Sequence, residues 1–252
     1  MNINAVWQSL LNNILKQDLV RLPRGHITKE ILNYHTTIDM NFPFLSIWER
    51  NIGESFRYAE AAWILSGDNR VKTISPYSKM ISQFSDDGIR FFGSYGPKVV
   101  DQLSYVIDTL NKDDYSRQAV INIWREKPPI SKDIPCTCSL QFILRDGRLN
   151  CIATMRSSDA WLGWPYDAFN FTCISIYILL QLLHQHNKNY ILGSLSINAG
   201  SQHLYERDWE KAKKCLDDMT PSAQELPVWM FSSGNEFVDY LWNKANGKLH
   251  KT

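Results

Sequence analysis

Cys136 stands behind a rigid proline at the head of the stretch 134–167, IPCTCSLQFILRDGRLNCIATMRSSDAWLGWPYD. A thiol held in one place is a candidate covalent nucleophile. Twenty residues on, Arg156-Ser157 sets a cation beside a hydroxyl, a pairing suited to a phosphate. The turn Gly163-Trp164-Pro165 then delivers Asp167 in front of a long apolar run. Taken alone, Asp167 reads as the cap of a following helix; beside a nucleophile it can also read a ligand. Far upstream, Glu60 lies among Ala61, Ala62 and Trp63, an apolar setting that raises a carboxyl's proton affinity. A raised carboxyl is what a proton shuttle at neutral pH requires. Nucleophile, anion site and acid thus point to covalent chemistry on a small anionic molecule.

The elements that must position these groups follow from local pattern. Ser139–Leu144 and Leu149–Met155 are β-type runs separated by Asp146-Gly147, a strong hairpin signal. Cys136, Arg156-Ser157 and Asp167 thus fall within one hairpin and its exit. Val6–Leu15 reads as an amphipathic helix, stopped by Pro23-Arg24-Gly25. Thr36–Met40 reads as a strand, and Glu54–Leu65 as a helix that stops at Gly67. Residues 69–92 read as loops with a short helix near Tyr77–Phe84. Pro97–Leu110 is a helix with proline where its missing N–H costs nothing. Expected next are a strand over Ser116–Trp124, a buried helix over Ala168–His186 and a strand over Tyr190–Ile197. A charged helix over Ser201–Asp217, a short strand at Val228–Phe231 and a terminal helix over Asn235–Asn246 complete the chain. The histidines at 184 and 186 fall at a helix end and receive no chemistry.

Bulk composition sets bounds. A chain of 252 residues with 44% hydrophobic content can bury a large core, and alternating strands and helices predict one α+β domain over residues 1–252. The formal charge of +1 argues against broad nucleic-acid binding. Five cysteines form no disulfide framework, and Cys136 and Cys138 lack the second ligand pair of a metal site, so no metal is expected. No apolar run reaches membrane-spanning length and no signal pattern opens the chain, so a soluble cytoplasmic protein is expected, with no membrane partner.

The ordered set of short matches resembles the thymidylate synthases and, more closely, the phage deoxycytidylate hydroxymethylases of the same fold. The pieces are Pro135-Cys136, Gln141-Phe142, Asp146-Gly147, Arg156-Ser157, Asp159 and Leu162-Gly163. Outside the stretch lie the Glu60–Asp68 segment, the turn Gly93-Ser94-Tyr95-Gly96, and Asn198–Tyr205 with its His203-x-Tyr205 pair. The resemblance implies a thymidylate-synthase-like domain, a large mixed sheet packed by helices. It also implies transfer of a one-carbon unit from 5,10-methylenetetrahydrofolate to C5 of a pyrimidine nucleoside monophosphate.

Roles follow by the same resemblance. Cys136 adds to C6, with Glu60, Asp167 and Tyr95 completing the catalytic set. Arg24, Arg156 and Ser157 hold the phosphate, joined by Arg117 from the partner of a homodimer; Gln118 stands where relatives usually carry a second arginine. His203 and Tyr205 hold the 3′-hydroxyl. Asp159, Leu162, Gly163 and Tyr166 line the folate site. Thr137 and Asp167 stand where cytidylate enzymes carry threonine and aspartate, and uridylate enzymes histidine and asparagine, so cytosine is the expected base. No tryptophan lies between Trp63 and Trp124, and no closing tail is evident in Gly247–Thr252. Both departures favour water over hydride at the C5 methylene and hence a hydroxymethyl product. Rival readings are a cytidylate methyltransferase, a thymidylate synthase, and a silent nucleotide-binding regulator.

Overall fold

The computed structural model describes residues 2–185, 189–220 and 224–248. Its centre is a six-stranded mixed sheet in the order β1-β2-β6-β5-β4-β3. The strands are β1 (Val20–Arg21), β2 (Thr28–Asp39), β3 (Val120–Asn122), β4 (Thr137–Arg145), β5 (Arg148–Asp159) and β6 (Ile191–Tyr205). Among the described residues only β5 and β6 pair in parallel; the other pairings are antiparallel.

The β4–β5 hairpin forms at the expected dipeptide. Asp146 and Gly147 have φ of 51° and 71°, the double left-handed geometry a two-residue hairpin loop needs, and Arg145 pairs with Arg148. A register shift between Thr137 and Ser139 leaves Cys138 as a bulge at the start of β4. Both strands run past the expected ends, so Cys136 comes level with Arg156, whose N–H donates to the Cys136 carbonyl at 2.9 Å.

Leu140, Phe142 and Leu144 on β4, and Leu149, Cys151, Ala153 and Met155 on β5, alternate into the core. Against that face pack α1 (Ile3–Leu15), α4 (Gly96–Lys112) and α5 (Trp164–Gln185). A second helical layer, α2 (Glu54–Leu65) and α7 (Gly234–Ala245), covers α5. Two short helices, α3 (Val71–Ile74) and α6 (Trp209–Lys214), complete the set. The other sheet face carries the partly exposed Ser139, Gln141 and Ile143, and a polar chain in which His35 meets Asn198 at 2.7 Å.

Several expectations change. The helix expected from Ser201 is strand as far as Tyr205, because β2 pairs with residues 201–205, Leu32 opposite Ser201 and Thr28 opposite Tyr205; of the expected span only Trp209–Lys214 is α-helical. Val228–Met230 is a 3-10 turn and not a strand. The strand over Ser116–Trp124 shrinks to three residues. No run was expected to reach spanning length, yet α5 is long and apolar enough by composition; its Phe169, Phe171, Ile174, Ile178 and Leu182 are buried within the protein. His184 donates its Nε2–H to the Phe231 carbonyl at 3.1 Å, while His186 lies outside the described residues, as do residues 249–252 of the tail.

Candidate active site

Two hollows share Cys136 in their walls. The larger, about 1330 Å³, is bounded by Arg24, Arg156, Ser157, Asp159, Leu162, Gly163, His203 and Tyr205. The smaller, about 200 Å³, is bounded by Glu60, Tyr95 and Asp167. Residues spread over some 180 positions are thus gathered around one sulfur.

Each is placed by its element. Cys136 precedes the bulge of β4, and β5 ends beside it, so the Arg156 guanidinium comes within 3.8 Å and the Ser157 hydroxyl within 3.7 Å of the sulfur. Arg156 is itself fixed, donating to the carbonyls of Pro135 and Ile134 at 3.0 Å each. Burial pushes the Cys136 thiol above its usual range; Arg156 first, then Ser157, pull it back. His203 and Tyr205 are two apart on β6, so both face the cleft, with rings edge to face at 5.2 Å. Burial lowers the proton affinity of His203 and raises that of Asp159, and each charge partly offsets the other's shift. Asp159 also accepts the Trp161 and Leu162 N–H groups at 2.8 and 3.0 Å. Arg24 reaches the rim from a left-handed backbone (φ 51°).

In the smaller cavity, burial lifts Glu60 to about 7, countered by the Asn170 amide, which donates to its Oε2 at 2.8 Å. Asp167 rises well above the usual carboxylate range through burial, with Glu60 and Asp159 adding like charge. It is the fourth residue of α5, its N–H bonded to the Gly163 carbonyl at 2.9 Å, so the cap role is corrected: Asp167 sits inside the first turn. Gly93 allows the turn before Tyr95 to press on the chain at Asp133, where a β-carbon would meet the carbonyl at 2.6 Å.

Three expected residues fall outside these walls. Thr137 is fully buried, because strand alternation turns it from the side Cys136 faces; it donates its hydroxyl to Tyr95 Oη at 3.0 Å. Tyr166 is held by α5 against Phe56, ring centroids 5.1 Å apart, and its hydroxyl accepts the Gly53 N–H. Arg117 is exposed beside a separate hollow with Tyr105 and Lys112. Missed by sequence reasoning were Asn170, Asp133, His26 and Arg207. Asn170 offered one signal, a lone amide in an apolar helix; Arg207, stacked 4.8 Å from the Tyr205 ring, offered none. From the tryptophan-free stretch 69–92, Phe84 and Phe91 line the smaller cavity.

The thymidylate synthase family model matches residues 5–241. The chain belongs to the thymidylate synthase family. A curated relative is similar too: the deoxyuridylate hydroxymethyltransferase of Bacillus phage SP01 is 32% identical over 183 residues, 63% of this chain and 46% of the relative. The chain therefore spans about half the length of that relative. The α+β fold, with its mixed six-stranded sheet, is the one expected of a thymidylate synthase domain.

Proposed function

We propose that this member of the family is a cytidylate 5-hydroxymethylase. The observation that carries the base assignment is the enclosed Asp167 carboxyl in the same cavity wall as Cys136. In this reading Arg156, Ser157 and Arg24 bind the phosphate, and His203 with Tyr205 the sugar. The Cys136 sulfur bonds to C6, leaving C5 electron-rich. Arg156 holds the thiolate that this attack needs, countering the burial that opposes it.

The cleft fits a folate: Leu162, Met80 and Ile130 give an apolar wall beside the Asp159 carboxyl, in a volume above that of an ordinary single-ligand pocket. Asp159, Leu162 and Gly163 would hold it. Methylenetetrahydrofolate, when bound, supplies the electrophilic one-carbon unit. The resemblance further supports a homodimer. The helix-free sheet face suits it, and Arg117, far from its own cleft, is then free to serve its partner's.

Asp167 decides the base by where a proton rests. Burial raises the proton affinity of its carboxyl, and in this reading a protonated Asp167 gives its proton toward cytosine N3 and accepts from the amino group. N3 is basic, and more so in the C6 adduct, so the pair becomes charge-assisted. A neutral carboxyl also matches uracil, donating to O4 and accepting from N3–H, but O4 is scarcely basic and the pair stays neutral. That match, together with the relative's printed activity, supports a second reading, a deoxyuridylate hydroxymethylase. Mass spectrometry of products from dCMP, CMP and dUMP with methylenetetrahydrofolate separates the two. A gain of one hydroxymethyl on dCMP or CMP is expected; product from dUMP alone refutes the cytidylate assignment.

A further inference from the structure

Two buried polar atoms of the smaller cavity's wall residues have no partner: the Trp63 indole Nε1–H and the Asn170 Oδ1. Trp63 is 5% exposed and Asn170 2%. An unpaired buried polar atom costs ~1–3 kcal/mol, and in native proteins such atoms mark the place of a water or a ligand. One is a donor and the other an acceptor, and water can satisfy either. The cavity, about 200 Å³, holds several waters at the ~30 Å³ each occupies in the liquid. Asn170 simultaneously donates its Nδ2–H to Glu60 Oε2 at 2.8 Å. One end of this amide is on the acid and the other has no protein partner.

We propose that Asn170 and Trp63 hold the water that adds to the C5 methylene, with Asn170 positioning Glu60 to take its proton. This deepens the hydroxymethylase reading and rests on it. The balance is redox-neutral. The water oxygen bonds to the methylene carbon and its proton passes to the Glu60 carboxylate. The methylene π pair moves into the ring and, as C5=C6 reforms, expels the Cys136 sulfur from C6. Asn170 has a second effect, since its bond opposes the burial that raises Glu60 and keeps part of the acid ionised at neutral pH.

The test compares Asn170→Leu, which removes both ends of the amide at similar volume, and Trp63→Phe, which removes the indole N–H and leaves a ring facing Phe91. With C5-tritiated dCMP, tritium release reports formation of the methylene, and mass spectrometry reports its fate with 2-mercaptoethanol present. The expected result is at least a tenfold fall in hydroxymethyl product per tritium released, with a matching rise in the C5 thioether. Asn170→Leu should also move the acidic limb of the kcat profile to higher pH. A wild-type product-to-tritium ratio in both variants overturns the proposal. Should Asn170→Leu fail to fold, Asn170→Ser and Trp63→Phe read the same ratio. Wild-type protein that releases no tritium from either dCMP or dUMP sinks the hydroxymethylase reading itself, a distinct failure.

Discussion

The Arg156 guanidinium lies 3.8 Å from the Cys136 sulfur, on the partner strand of the same hairpin, and is the main influence pulling that thiol down against its burial. The cation is anchored to two backbone carbonyls, so it cannot turn away when the nucleotide is absent. Arg156→Ala should therefore raise the Cys136 thiol further. The rate of iodoacetamide alkylation against pH should shift to the alkaline side, and an unmoved profile would mean that Arg156 acts on phosphate only.

Cys136→Ser should abolish product and tritium release, because an alkoxide is far harder to form than a thiolate. Cys138→Ser should retain most of both. Cys138 is a half-buried bulge residue whose structural contribution is its carbonyl, bonded by the Ile123 and Trp124 N–H groups at 2.9 and 3.0 Å. Full turnover by the Cys136 variant would exclude covalent catalysis at C6.

Asp167→Asn should lower kcat/KM for dCMP and raise it for dUMP, moving the preference by roughly 2 kcal/mol, or about thirtyfold, the scale of a charge-assisted hydrogen bond. In the unchanged enzyme both bases need a proton between ring and carboxyl. Activity should fall as pH rises through the elevated Asp167 range, and at lower pH for dUMP, whose O4 does not help to hold the proton. Kinetics on both nucleotides across pH check this; parallel profiles and an unchanged ratio would remove Asp167 from base reading.

Glu60 carries its proton in the folded state up to about pH 7, against 4.5 for the ordinary carboxyl. Between those values the folded protein binds more protons than the unfolded chain, so stability falls as pH rises, by about 1.4 kcal/mol per unit at most. Glu60→Gln keeps the shape and removes the penalty. Its Tm should match the parent near pH 4 and exceed it at pH 8, while turnover drops by roughly two orders of magnitude, the scale of general acid–base help. Thermal unfolding at the two pH values, read beside kcat, separates this from a purely structural glutamate.

If Arg117 serves the partner's cleft as proposed, Arg117→Ala mixed with Cys136→Ser should recover activity that neither chain has alone, since a heterodimer would then assemble one intact site from two damaged chains. Proven subunit exchange without recovery would place the Arg117 side chain outside the partner's cleft.

What the sequence by itself determined is local. Asp146-Gly147 dictated the hairpin because two successive left-handed residues close it with the right twist. The apolar period set α2 at the expected Glu54–Leu65. The hairpin in turn made Arg156 a neighbour of Cys136, a relation that the family resemblance implied. Tertiary structure decided the rest. The bulge at Cys138 fixed which β4 residues face the cavity, and pairing with β2 held 201–205 in strand against the helix their composition suggested. Asp167's burial, and with it the raised proton affinity of its carboxyl, comes from the walls that α2 and α5 build together. The bond from Asn170 to Glu60 spans 110 positions, and no periodicity or spacing encodes it. Local pattern specifies the backbone because turn and helix energies depend on adjacent residues. Proton affinity and an open hydrogen bond depend on what encloses a group, and that exists only once distant segments have packed.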